Sequence, residues 1–158
     1  YLSELVESVS MEESPNERLF NLFVSSLSRL TQGDEYFHIL RHFEVKLLEY
    51  CGFGPELNNC LECFKVLPPA DHYFSSYIGG LICFDCGQSV EGSKISIKKN
   101  TIKLFRYFQK HSEHDSSALI IPKNNANELE LILNHYIRYV VGKEMKSTKF
   151  LDLITKKT

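Results

Sequence analysis

Four of the five cysteines fall in two Cys-x-x-Cys pairs, Cys60/Cys63 and Cys83/Cys86, separated by residues 64–82. The pattern C-x2-C-x19-C-x2-C lies within the spacing of about 15–20 residues that suits a zinc site. Two cysteines three apart on a tight turn can aim both sulfurs at one point. A second such turn completes a tetrahedron with Zn–S bonds of about 2.3 Å. Four thiolates close the coordination sphere and leave no position for water, so the site reads as structural and not catalytic. Two disulfides, or simply free thiols, are the alternatives. A Cys-x-x-Cys can also be a redox motif, but that form follows a strand and opens a helix, and neither pair reads that way.

Other chemistry is sparse. His38 and His42 are spaced i, i+4 without a third ligand nearby, and read as ordinary surface or core histidines. His72 lies between the cysteine pairs and could replace a sulfur, which four cysteines make unnecessary. His111 and His114 stand in a polar stretch, HSEHDSS, that reads as a solvated loop. There is no G-x-S-x-G, H-E-x-x-H or P-loop pattern. A zinc deaminase needs a P-C-x-x-C pair with an H-x-E motif beside it, and Pro precedes neither pair here. The expectation is a protein that is not an enzyme.

The elements that must hold the cysteines are helical on both sides. Residues 2–9 carry Leu2, Leu5, Val6 and Val9 on one stripe. Ser14, Pro15 and Glu17 read as cap, first helical residue and capping box of a second helix. Its stripe is Leu19, Phe20, Phe23, Val24, Leu27 and Leu30, ending at Gly33. Asp34 can cap a third helix reaching Tyr50, with Phe37, Leu40, Phe43, Leu47 and Leu48 inward and Gly52 as its left-handed stop. Cys51, the odd cysteine, reads as a buried small hydrophobe. Residues 72–82, HYFSSYIGGLI, are aromatic and β-branched around a glycine pair and predict a short hairpin. Helical spacing returns over 97–110 and 125–142, with a last turn or two over 148–154. The predicted fold is mainly α. A helical bundle domain (1–55 and 93–158) carries a small inserted four-cysteine zinc module (56–92) containing a short β-hairpin. So small a module draws folding free energy from its metal.

The net charge of −2 hides an asymmetry. Residues 1–93 carry 5 Lys+Arg against 14 Asp+Glu, and residues 94–158 carry 13 against 6. Arg138, Lys143, Lys146 and Lys149 cluster near the C-terminus. If the three lysines continue one helix they share a side and offer a phosphate or carboxylate surface. Lys94, Lys98, Lys99, Lys103 and Arg106 form a second group. The competing reading of both is a solvated basic surface, the first of them complementing a helix dipole. No apolar run reaches a membrane span. The chain opens without a basic-then-apolar leader and without Met. It therefore reads as a piece of a longer protein from a reducing cytosol, a compartment that favours metal over disulfide.

Three stretches together resemble the bacterial recombination mediator family RecO. RHFEVKLLEYCGFGPELNNCLEC (41–63) is similar to that family's R-x-F-E-x-x-L-L segment running into its first cysteine pair. GGLICFDC (79–86) resembles its G-G-x-x-C-x-x-C, and HYIRYVVGKEMKSTKFL (135–151) its closing helix and G-x-E-L-K-S-x-x-F-L motif. One departure is plain: the family usually has Gly after the first pair, where this chain has Phe64. The resemblance implies a helical and zinc-bearing part without the OB-fold that precedes it in the family. It implies a non-enzymatic, cytoplasmic and nucleoid-associated role in bacterial repair and recombination. Implied partners are single- and double-stranded DNA, RecR, the acidic C-terminal tail of single-stranded DNA-binding protein and, indirectly, RecA, with strand annealing as an activity. Arg41 and Lys46 are the residues it suggests at the rim of the tail's pocket. A zinc-stabilised protein-interaction module without nucleic-acid binding is the alternative.

Overall fold

Apolar residues at helical spacing open and close the chain, and the fold follows them. The computed structural model describes residues 1–9, 16–33, 35–112 and 120–147. These form α1 (Leu2–Val9), α2 (Glu17–Gln32), α3 (Tyr36–Tyr50), β1 (His72–Ser75), β2 (Gly80–Ile82), α4 (Phe84–Ser89), β3 (Ile95–Ile97), α5 (Lys99–Lys110) and α6 (Lys123–Val141). The mainly α fold with a small β module is as expected. Among the described residues no helix is long and apolar enough to cross a membrane.

Helix α3 is the axis of the bundle. It packs on α1, α2, α5 and α6, and Phe43, Val45 and Leu47 are wholly buried on it. A buried side chain of this size contributes about 1.5–3 kcal/mol. Contact on several sides explains why ten of its fifteen residues are buried, polar ones among them. Its stop is as read: Cys51 closes the helix and Gly52 takes φ 82°. Cys51 is half-buried against the core, and burial pushes its thiol pKa up.

Helix α2 departs from the sequence reading at its cap and on its inner face. Asn16 is the cap, its side-chain oxygen accepting the Leu19 N–H at 3.0 Å. Glu17 is therefore the first helical residue and too early to close a capping box; Ser14 and Pro15 lie outside the described residues, as does Asp34. The buried face is Leu19, Leu22, Ser26 and Arg29, while Phe20, Val24 and Leu27, expected inward, are exposed. The apolar arc of α2 is wider than the surface α3 offers it, so one edge is left in water.

The predicted hairpin forms, with Tyr73 opposite Ile82 and Phe74 opposite Leu81. A third strand goes beyond the sequence expectation. Residues 95–97 pair antiparallel with β1, giving the order β2-β1-β3, and α5 starts at Lys99, two residues after the expected Ile97. Three residues are too few to show strand periodicity in sequence; only the pairing partner reveals them.

The sheet is not a free-standing knob. Phe74 on the central strand packs at 6.1 Å on the Phe105 ring and 5.4 Å on Tyr136, on α5 and α6. Leu57, Cys60, Leu67, Phe74 and Leu81 belong to one continuous core with the helices. Polar ties line the seam. Arg106 Nε donates to the Leu57 carbonyl at 2.9 Å, Gln109 to that of Pro55 at 2.9 Å, and the Tyr136 hydroxyl to that of Phe53 at 2.9 Å. Lys98 pairs with Asp71 at 3.0 Å, and Lys94 donates to the Val90 carbonyl at 2.6 Å. Much of the second basic group is thus engaged in fixing the module.

Candidate metal centre

The first cysteine pair sits on a loop that doubles back beside β2. Residues 56–61 run along that strand: Glu56 N–H donates to the Gly79 carbonyl and Leu61 N–H to that of Leu81, at 3.1 and 3.0 Å. The approach is close enough that a Cβ on Gly80 would collide with the Glu56 backbone. The loop then turns tightly, with Phe64 N–H on the Cys60 carbonyl and Cys60 N–H on that of Lys65, both at 2.9 Å. The turn needs a left-handed residue at position 64, and Phe64 takes φ 59° with its ring 78% exposed. This is the position where the RecO pattern has Gly, which adopts that conformation without strain.

The second pair follows β2 and opens α4, contrary to the sequence reading. Cys83 is the N-cap, its sulfur accepting the Cys86 N–H at 3.4 Å. Tyr73 of β1 lies over Gly87, where a Cβ would strike its ring, and Phe84 stacks on the same ring at 5.9 Å. Strand then helix is the setting of a redox Cys-x-x-Cys, so local context does not separate the two readings here. The other pair separates them.

All four sulfurs, of Cys60, Cys63, Cys83 and Cys86, lie within 4.8 Å of one another. Cys63 and Cys83 Sγ are 3.9 Å apart, close to the edge of about 3.8 Å expected for a tetrahedron with 2.3 Å metal–sulfur bonds. All five cysteines are free, with no disulfide formed. Burial raises the Cys60 thiol, but backbone N–H groups from Cys63, Cys83 and Glu62 aimed at its sulfur outweigh this and bring its pKa down to about 6. Hydrogen bonding to Cys83 and burial push Cys86 up to about 12. A cluster with one ready thiolate, three more sulfurs at tetrahedral spacing and N–H donors around it suits a thiophilic metal ion. It does not suit thiol exchange: Cys60, the most acidic sulfur, is 0% exposed and no substrate disulfide can reach it. Among the described residues this is the only His/Cys/Asp/Glu cluster with metal-site geometry. His72 is buried nearby, its Nε2 2.9 Å from the Pro68 carbonyl oxygen. His38 and His42 are both buried on α3. His111 stacks on the Tyr107 ring at 4.0 Å, and His114 lies outside the described residues.

The expected basic contacts are scattered. Arg41 is 2% exposed, its Nη2 donating to Glu44 at 2.8 Å and its Nη1 3.4 Å from Glu130. It belongs to the interior and does not stand at an open rim. Tyr1 donates its hydroxyl to the same Glu44 oxygen at 2.5 Å. Burial raises the Glu44 pKa, while Arg41 and Tyr1 pull it back. Lys46 does reach a cleft. It binds Glu49 at 2.9 Å and the Gln109 carbonyl, and it lines a cavity of about 290 Å³ with Arg18, His42 and Tyr50.

The C-terminal lysines do not continue one helix. Helix α6 stops at Gly142, which turns left-handed at φ 72° and donates to the Arg138 carbonyl. Arg138 pairs with Glu144 at 2.8 Å on the surface; Lys143 and Lys146 are exposed, and Lys149, with the turn expected over 148–154, lies outside the described residues. The Lys146 N–H donates to Glu4 at 2.7 Å, and Ser147 binds the same carboxylate through N–H and hydroxyl.

A helical bundle carrying a small sheet pinned beside four converging sulfurs defines a class of protein: a mainly α scaffold with a candidate four-cysteine metal centre. The comparison with known families is narrower. The family described as Recombination protein O C terminal matches residues 1–149, and the chain belongs to it. The chain is 38% identical over 152 residues to a DNA repair protein RecO of Dehalococcoides mccartyi strain BAV1, covering 96% of this chain and 59% of that protein. A Roseiflexus RecO is 33% identical over 152 residues, covering 96% and 53%. That of Alkaliphilus metalliredigens is 37% identical over 138 residues, covering 87% and 55%. The chain therefore spans just over half the length of these relatives.

Proposed function

We propose that this chain is the zinc-bearing helical part of a non-enzymatic mediator of DNA repair by recombination. The family match over residues 1–149 is the observation that carries this reading. Zinc is the ion that four thiolates at tetrahedral spacing best accommodate, and it would fix the module's shape without chemistry of its own. Metal analysis with thiol titration tests it: one zinc per chain and four thiols released by chelator, with Cys51 left over.

In this reading the protein binds single- and double-stranded DNA, promotes annealing and, with RecR, helps load RecA onto strands coated by single-stranded DNA-binding protein. Arg138, Lys143, Lys146 and Lys149 supply phosphate contacts. The acidic tail of the coating protein is met at the cleft of Lys46 and Arg18, while Arg41 acts from within as the ionic anchor of α3. Binding to DNA that weakens linearly in log–log terms as salt rises supports the reading. No such binding by the metal-loaded chain favours the alternative, a zinc-stabilised protein-interaction module. The engagement of Lys94, Lys98 and Arg106 within the fold supports that alternative.

A further inference from the structure

Tyr77 and Tyr139 stand outside the core, yet the fold brings them together. Tyr77, in the turn between β1 and β2, is 79% exposed, and Tyr139, near the end of α6, is 52% exposed. Their ring centroids are 6.4 Å apart with planes at 75°. An edge-to-face pair of this kind leaves ring faces open to a third aromatic. Both line a cleft of about 570 Å³ between that turn, residues 91–93 and α6, a volume within the range of small-molecule sites. Ser76 and Ser93 bring hydroxyl groups to its wall, and His135 and Arg138 line its α6 side. The Arg138–Glu144 pair is more than half exposed at both ends, so it is weak and a phosphate can replace the carboxylate. Lys143 is exposed and directly follows Gly142, which lines the cleft.

We infer that this cleft binds unpaired bases of single-stranded DNA. A base stacks on the tyrosine pair, Ser76 and Ser93 meet its edge, and Arg138 and Lys143 meet the flanking phosphates. Glu91 on the opposite lip keeps the phosphate backbone to the α6 side. The inference rests on the DNA-binding reading above and adds a preference to it: bases in a duplex have no free face to offer the tyrosines. Aromatic grooves also take proline-rich peptides. The excess of 13 basic over 6 acidic residues across 94–158 favours the polyanion.

The test is fluorescence anisotropy of the metal-loaded chain with three labelled probes: an oligothymidylate of about 16 nucleotides, an abasic oligomer of the same length, and a duplex. Tyr77→Ala and Tyr139→Ala each weaken oligothymidylate binding about tenfold. Tyr77→Phe restores it, and abasic and duplex affinities stay as in the parent. The salt slope is unchanged in the tyrosine variants, and Arg138→Gln lowers it by about 0.7. Parent-like oligothymidylate binding by both alanine variants overturns the cleft assignment while leaving DNA binding intact. Equal losses on all three probes overturn stacking. No salt-dependent binding to any probe by the parent chain overturns both readings. A proline-rich peptide that binds the parent and not the tyrosine variants, with DNA binding unaltered, gives the cleft to peptide.

Discussion

Among the described residues two polar clusters stand out, and they are held together in different ways. The four sulfurs of Cys60, Cys63, Cys83 and Cys86 converge within 4.8 Å of one another, an arrangement that could hold a metal ion. The Arg41–Glu44–Tyr1 cluster is held by the chain's own groups: a guanidinium and a phenol share one carboxylate oxygen, with Glu130 at the margin, while Arg41 Nε and the second Glu44 oxygen are buried without a hydrogen-bond partner. The first joins segments about twenty residues apart and fixes a small sheet. The second ties Tyr1, just before α1, to α3. The first is therefore probed by chelation, the second by mutation.

The largest expected effect breaks the first cluster. Chelation, or Cys83→Ser, removes metal binding of a kind worth on the order of 10 kcal/mol in small zinc domains. Amide exchange should then show β1 and β2 losing protection while α3 keeps its own. Equal loss in both would mean that the two regions fold as one unit. Next is Glu44→Ala, which leaves buried Arg41 with only the half-exposed Glu130 beside it and should cost about 3 kcal/mol in urea denaturation. Replacing both partners together, as Arg41→Met with Glu44→Leu, should cost clearly less, because no charge is then stranded. A double variant as damaged as the single one would show that the pair contributes net stability.

A smaller effect sharpens the contrast within the module. Phe64→Gly relieves a left-handed backbone at an exposed ring and should stabilise the metal-loaded protein by about 1 kcal/mol, read as a rise in Tm. The smallest concerns the tie between α1 and residues 146–147. Hydrogen bonds from Ser147 and Lys146 hold the Glu4 carboxyl down at about 2 from its ordinary value. A depressed carboxyl stabilises above its unfolded pKa of about 4.5 and loses that contribution as pH falls toward 2. Ser147 amide protection should therefore decline across that window, and Glu4→Gln should flatten the decline.

The cysteine spacing made the sulfur cluster legible because each half of it is local: two residues on one turn, repeated. The helices were legible for the same reason, since period and stop signals lie within a few residues, as at Gly33 and Gly52. Legibility failed where the deciding partner is distant in sequence. Strand β3 exists only because β1 presents an edge to it. The exposed edge of α2, with Phe20, Val24 and Leu27, reflects how much surface α3 leaves open, which α2's own sequence does not encode. Arg41 carries the same charge on a rim as in a core, and only Glu44 and the packing around it decide between them.

The sequence by itself determined the two cysteine pairs, the helical class of the fold and its turn into a small β-hairpin, because propensity, spacing and capping act over one or two turns of chain. The tertiary structure alone decided that the sheet shares the helices' core, that Arg41 is interior, that the stop at Gly142 separates Arg138 from Lys143, and that Tyr77 meets Tyr139. Each of these is a long-range contact, settled by the competition of many surfaces for burial and not by any one segment.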